Sequence, residues 1–137
     1  MAKPKLVPEL DVSDLNASLA YYTSLCGFSI SYERPNERFA YLQLEGAELM
    51  IQEARGPGRR FRTAPLQRPF GRGMSLQIEV ASVDAVHERL ITAGHNVIVA
   101  IEERWYETTE GAVGNRQFVV ADPDGYLLRF YTGLGRR

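Results

Sequence analysis

Histidine and cysteine are nearly missing from this sequence: only His87, His95 and Cys26 occur. One cysteine excludes an internal disulfide and agrees with a reducing compartment. No apolar run approaches the roughly 18–20 residues of a membrane span. Met1–Pro8 lacks the apolar stretch of a secretory leader, so a cytoplasmic location and no membrane partner are expected. Charge of one sign is also wanting: the formal net charge is −1, which implies no polyelectrolyte and hence no nucleic-acid partner. No glycine-rich phosphate cradle joins a strand to a helix, because Gly56, Gly58, Gly71 and Gly73 lie together in one irregular stretch. What remains has 45% hydrophobic and 24% charged residues in 137, enough for one globular domain over residues 1–137.

That domain repeats itself. Val12–Gly27 (VSDLNASLAYYTSLCG) and Val80–Gly94 (VASVDAVHERLITAG) share a strand end, a cap, an amphipathic helix and a terminal glycine. Phe39–Gln52 (FAYLQLEGAELMIQ) lies over Phe118–Tyr131 (FVVADPDGYLLRFY), with Gly46 on Gly125. Strands are expected at Lys5–Val12, Phe28–Glu33, Arg38–Glu45 and Ala47–Glu53, then at Met74–Ala81, Asn96–Glu102, Arg116–Ala121 and Tyr126–Thr132. Helices start after Ser13 or Asp14 and after Ser82. Each half is then β-α-β-β-β, the first over residues 5–54 and the second over 74–132. The offset between copies grows from 68 at Val12/Val80 to 79 at Gly46/Gly125, which matches an extra loop at Glu103–Gly114.

Between the copies, Arg55–Gly73 (RGPGRRFRTAPLQRPFGRG) holds six arginines and no acid, leaving ten basic against seventeen acidic residues elsewhere. It reads as a solvated connector, or an arm on an acidic partner subunit, rather than as a nucleic-acid contact.

Strand parity sorts the side chains. One parity collects Leu6, Leu10, Val12, Leu42, Leu44, Leu49, Ile51, Leu76, Ile78, Val80, Leu128 and Phe130, the face expected beneath the helices. The other collects Val7, Glu9, Asp11, Phe39, Tyr41, Gln43, Glu48, Met50, Gln52, Ser75, Gln77, Glu79, Arg129 and Tyr131. This polar, acidic and aromatic face is either plain surface or the lining of a site. In a curved sheet, Glu9, Glu48 and Glu79 would face a cationic or hydrogen-bonding ligand flanked by Phe39 and Tyr41. No nucleophile-histidine pair can be assembled on it, because His87 lies in the second helix and His95 just beyond. Cys26, ending an amphipathic helix, reads as core. Glu9 and Glu79 could move a proton or neutralise a bound cation, and the second role is preferred.

The segment VSDLNASLAYYTSLCGF, its repeat and the ending ADPDGYLLRFY make the chain resemble the vicinal oxygen chelate superfamily over residues 5–132. That superfamily includes glyoxalase I, extradiol dioxygenases and bleomycin-resistance proteins. The resemblance implies an α+β fold of two paired βαβββ modules in a half-open barrel, commonly completed in a homodimer. It also implies, for the metal-dependent members, ligands on the first and last strands of each module. Those positions are Val7, Met50, Ser75 and Arg129 here, none a usual ligand for a divalent ion. No metal, no cofactor and no catalytic residue is therefore expected.

The resemblance points most closely to the bleomycin-resistance proteins, which sequester a drug in grooves at a dimer interface without metal. A planar, cationic guest would meet carboxylates and rings. The expected ligand-binding set is Phe39, Tyr41, Glu9, Glu48, Gln52, Gln77, Glu79, Trp105, Tyr106 and Arg129. Relatives grip their ligand with a Phe early in the third strand, matched by Phe39, and a Trp-Gly before the seventh. The second place is Val113-Gly114 here, while the only tryptophan, Trp105, lies eight residues earlier. Trp105-Tyr106, among Glu102, Glu103 and Glu107, either folds over the groove or anchors its loop. Phe39→Ala is expected to weaken binding with little effect on folding. The alternative is a glyoxalase- or dioxygenase-type lyase or isomerase with an atypical site.

Overall fold

The computed structural model describes residues 3–137; Met1 and Ala2, part of the stretch read above for a leader, lie outside it. The chain divides into two compact units. One runs through Phe70 and includes Pro123–Gly125; the other comprises Gly71–Asp122 and Tyr126–Arg137.

The first unit contains β1 (Glu9–Val12), α1 (Leu15–Ala20), β2 (Ser29–Arg34), β3 (Phe39–Leu44) and β4 (Ala47–Glu53). Its sheet has the order β1-β4-β3-β2, with β1 parallel to β4 and the other pairs antiparallel. The second unit contains β5 (Ser75–Glu79), α2 (Val83–Thr92), β6 (Val97–Thr108), β7 (Gly111–Ala121) and β8 (Leu127–Arg136). Its order, β5-β8-β7-β6 with β5 parallel to β8, is the same pattern. The βαβββ repeat and the α+β class read from the sequence are both present.

Each helix is started by its own sheet in the same way. Asp14 caps α1, accepting from Ala17 N at 3.2 Å, and Ser82 caps α2, accepting from Ala85 N at 3.3 Å. The first helical N–H is then taken by a side chain of the unit's last strand: Leu15 N donates to Glu53 Oε2 at 3.0 Å, and Val83 N to Thr132 Oγ1 at 3.0 Å. Glu53 and Thr132 are repeat equivalents, as are Leu15 and Val83. Both pairs satisfy a donor that every helix leaves orphaned. Gly27 and Gly94, at φ 98° and 86°, stop the helical segments in the left-handed region.

Glu53 also binds Arg38 Nη2 at 2.8 Å. The Arg38 guanidinium, followed by the Leu15 amide, holds its carboxyl below the ordinary value of 4.5. A carboxyl depressed on folding stabilises the native state above the ordinary range, and loses that contribution as pH falls through the folded value. Stability should therefore decline on acidification more steeply in the native chain than in Glu53→Gln, as followed by urea midpoints between about pH 5 and pH 3.

The apolar parity forms the cores. In the first unit Leu10, Val12, Leu42, Leu49 and Ile51 pack with Leu15, Tyr22, Cys26 and Phe28, all nearly inaccessible. After Ala20 the helix widens into a π-helical turn, Tyr21–Leu25, which presents Tyr21 and Tyr22 side by side, their rings edge-on at 5.4 Å. In the second unit Ile78, Val80, Val86, Leu90, Phe118, Leu128 and Phe130 do the same. His87 lies edge-on to Phe118 at 5.0 Å, packing on the core it covers.

Two expectations fail. β1 begins at Glu9 rather than Lys5, and Leu6 is exposed instead of lying under a helix. Pro8 has no N–H to give to a ladder, so regular pairing starts only at Glu9, although the Pro8 carbonyl still accepts from Met50 N at 2.9 Å. Glu103–Gly114 is not a loop: β6 and β7 run through it as a hairpin that turns between Thr108 and Gly111. Gly111 sits at φ 111°, and Thr108 Oγ1 donates to its carbonyl at 2.7 Å. Arg104–Thr108, rich in aromatic and β-branched residues, suits a pleated surface.

Candidate functional site

The register aligns the polar parity of the first unit into cross-strand rows. One row reads Asp11, Gln52, Phe39, Arg34; the next Glu9, Met50, Tyr41, Tyr32; a third joins Glu48, Gln43 and Ser29. Four of the five residues expected here are thus placed in two adjacent rows, with Glu48 in the third.

Their faces are already occupied. The Arg34 guanidinium lies 3.9 Å from the Phe39 ring centroid. Tyr32 stacks on Tyr41 at 5.0 Å and 18°, and Lys3 Nζ stands 5.2 Å from the Tyr41 ring. Tyr41 Oη donates to Glu48 Oε1 at 2.5 Å, and this bond, with burial behind it, pushes the phenol up to about 12. Gln52 Nε2 donates to Asp11 Oδ1 at 2.9 Å, while Arg62 Nε holds Asp11 Oδ2 at 2.8 Å.

Glu9, Phe39 and Gln52 line one cavity of about 230 Å³ with Arg34, Arg59 and Phe61. Arg59 stacks on Phe61 at 5.0 Å, and Arg60 ties its segment to the sheet by donating to the Glu53 and Glu37 carbonyls. Arg34 could have been found by extending the parity to β2, where it falls opposite Phe39. Arg59 and Phe61 gave no such signal, because an irregular segment has no period.

In the second unit Gln77 pairs with Arg129 and Glu79 with Tyr131 across the parallel ladder. The Arg129 guanidinium donates to Gln77 Oε1, and to Tyr106 Oη at 3.2 Å. Gln117, which the sequence reading omitted, donates through Nε2 to Tyr106 Oη at 2.5 Å and to Glu102 Oε2 at 3.0 Å. Its Oε1 is buried without a hydrogen-bond partner among the described residues. Gln77 and Glu79 line a cavity of about 310 Å³ with Asn115, Tyr131, Gly114 and Gly133.

Trp105 stands opposite Gly114 on the neighbouring strand, so the hairpin brings together the tryptophan and the glycine, which lie apart along the chain. A Cβ on Gly114 would lie 2.7 Å from three atoms of the indole, and Arg137 lies 4.3 Å from the ring centroid. Trp105 is therefore packed within its own sheet. Gly114→Ala should push the indole away at a cost of about 1–3 kcal/mol, seen as a lower melting temperature and a shifted emission of the only tryptophan.

The positions that the resemblance would assign to metal ligands do not fit a divalent ion. Met50 faces Glu9 across the ladder and Arg129 faces Gln77, and a thioether and a guanidinium do not make an oxygen or nitrogen donor set. Among the described residues no three His, Cys, Asp or Glu side chains converge as ligands. Neither histidine lines any of the cavities described here.

Two βαβββ units of identical strand order, each with a polar and aromatic sheet face, define the class to which relatives can be compared. Residues 8–130 match the Glyoxalase/Bleomycin resistance protein/Dioxygenase superfamily, and the chain belongs to it. It is 26% identical over 132 residues to a bleomycin resistance protein of Geobacillus stearothermophilus, covering 91% of this chain and 93% of that one. The same identity and coverage hold for bleomycin resistance proteins of Staphylococcus aureus. Among solved structures, a protein of unknown function from Agrobacterium tumefaciens is 25% identical with a TM-score of 0.70, covering 98% of this chain and 97% of that one. An antibiotic-binding protein of a Streptomyces species is 20% identical with a TM-score of 0.65, covering 97% and 98%; at that identity the likeness concerns the fold.

No helix among the described residues is long and apolar enough to cross a membrane.

Proposed function

We propose that this protein binds a planar, cationic small molecule of the bleomycin type and sequesters it without chemical change, in a groove completed by a second copy of the chain. The observation that carries the reading is the planar cation already seated on Phe39: a guanidinium at 3.9 Å, beside Glu9 and Gln52 in one cavity. A ring that holds Arg34 in this way offers the same face to a flat cationic guest, and Glu9 supplies a compensating charge. The stacked Tyr32 and Tyr41 rings continue the platform along the next row. The second unit, taken by itself, carries its own hydrogen-bonding face of Gln77, Glu79, Tyr106, Gln117 and Arg129, where the Gln117 carbonyl, without a partner among the described residues, would accept from a guest's donor. The whole-length similarity to bleomycin resistance proteins supports the same class of guest.

The test is a titration of the purified protein with bleomycin, followed by Trp105 fluorescence and calorimetry, with sedimentation to count subunits. The expected result is saturation near one ligand per subunit on a dimer, with the drug recovered intact. A flat response to bleomycin, or turnover of the drug, would overturn the reading.

A further inference from the structure

The arginine-rich segment builds a further cavity that the proposed groove does not use. Arg55, Arg62 and Arg68 line a space of about 520 Å³ with the Ser13 hydroxyl and the apolar side chains of Leu66 and Phe70. None of these residues lines the cavity at Phe39.

Two of the three guanidinium groups are fixed from behind. Arg62 donates to Asp11 Oδ2 at 2.8 Å and to the Ala54 carbonyl at 2.6 Å. Arg68 donates to Asp124 Oδ1 at 2.9 Å, to Ser13 Oγ at 2.9 Å and to the Pro123 carbonyl at 2.9 Å. The carboxylates are nearly inaccessible, with side-chain exposures of 10% for Asp11 and 0% for Asp124, whereas the arginines keep 30% and 57%. Arg55 makes no ion pair among the described residues, so its positive charge faces the cavity without a carboxylate bound to it. Arginines held by buried carboxylates are oriented in advance, and a guanidinium presents a planar fork suited to a carboxylate, sulfonate or phosphate. A half-open cleft of this size admits a single small molecule, and its wall of Leu66 and Phe70 suits an apolar body.

We propose that this cavity is a binding site for a small organic anion, one acidic group carried on an apolar ring or chain. The site is separate from the Phe39 platform and opposite to it in charge preference.

The probe is 2-naphthoate, titrated into the isotopically labelled full-length chain and followed by amide chemical shifts. Saturable shifts should concentrate at Ser13, Ala54, Arg55 and Leu66 and weaken with added salt. Naphthalene-2-methylammonium, the cation on the same ring, should leave those amides unmoved. Arg55→Glu should weaken naphthoate binding by about tenfold or more, with an unchanged melting temperature because the side chain is exposed and in no ion pair. Arg55→Lys should retain most of the affinity. Shifts scattered over the exposed apolar residues Ile98 and Val99, equal binding of the cation, or an undiminished affinity in Arg55→Glu would each overturn the proposal. Inorganic phosphate binding as tightly as naphthoate would overturn the apolar half of it. The bleomycin titration is unaffected by Arg55→Glu if the two sites are distinct, so the failure of either reading is visible separately.

Discussion

Phe39→Ala should lower the free energy of unfolding by about 3–5 kcal/mol and should also erase stacking of a guest in the first unit. The sequence alone suggested that this ring could be removed with little effect on folding; its surroundings say otherwise. Phe39 is 2% exposed, with Arg34 across one face, Tyr32 at 6.1 Å and Gln52 beside it in the ladder. Truncation leaves a cavity beneath Arg34 and removes the surface against which that guanidinium lies. The affinity measured on the alanine variant would then mix loss of stacking with loss of fold. Two further variants separate them. Phe39→Leu keeps apolar volume at a cost of about 1 kcal/mol and removes the π face, so guest binding should still fall by about 1–3 kcal/mol. Arg34→Ala uncovers the ring without emptying the core. Since an exposed cation–π contact contributes about 0.5–1 kcal/mol, a planar cation should bind roughly two- to fivefold more tightly once it no longer competes with Arg34. Undiminished affinity in Phe39→Leu would show that the ring does not touch the guest.

The repeat was legible because its signals are local and paired. Ser82 and Asp14 cap helices that Gly94 and Gly27 end, and the growing offset between copies measured the extension at Glu103–Gly114. What that extension becomes was not legible from a mismatch in length, since an insertion reads as a loop unless its alternation is examined. Trp105 and Tyr106 alternate as strand residues do, one onto Gly114 and the other onto Arg129 and Gln117. Parity placed Glu9, Phe39, Tyr41, Glu48 and Gln52 on a common sheet face, because alternation follows from backbone geometry alone. It could not show that Arg34 and Lys3 would lie against the rings, nor that the arginine-rich stretch would fold back onto Asp11 and Asp124. Such contacts are set by long, flexible side chains meeting residues far away in sequence, where no period exists to reveal them.

The strongest of these long-range contacts yields the second large effect: Asp124→Ala should destabilise the protein by about 3–4 kcal/mol. The carboxylate is fully buried and accepts from Ser13 N at 3.0 Å, from Ser13 Oγ at 2.6 Å and from Arg68 Nη2 at 2.9 Å. Hydrogen bonds to a charged acceptor contribute about 1.5–3 kcal/mol each, yet their losses do not add, because the half-exposed Arg68 returns to water while the Ser13 amide near the start of α1 has less access to it. The backbone makes the site unforgiving. Phe70 N donates to the Asp124 carbonyl at 2.8 Å, and the next residue, Gly125, sits at φ 105° with Pro69 Cα 2.8 Å from where a Cβ would stand. The turn cannot shift to rescue the lost contacts without colliding with the segment that Arg68 anchors. Asp124→Asn keeps the shape and one acceptor oxygen, so its cost should be smaller, about 1–2 kcal/mol. Urea denaturation measures both, and limited proteolysis supplies the structural readout: with Arg68 released, cleavage within residues 55–73 should accelerate in Asp124→Ala well before global unfolding. Equal stability of the alanine variant and the native chain would mean that the buried carboxylate only repays its own desolvation.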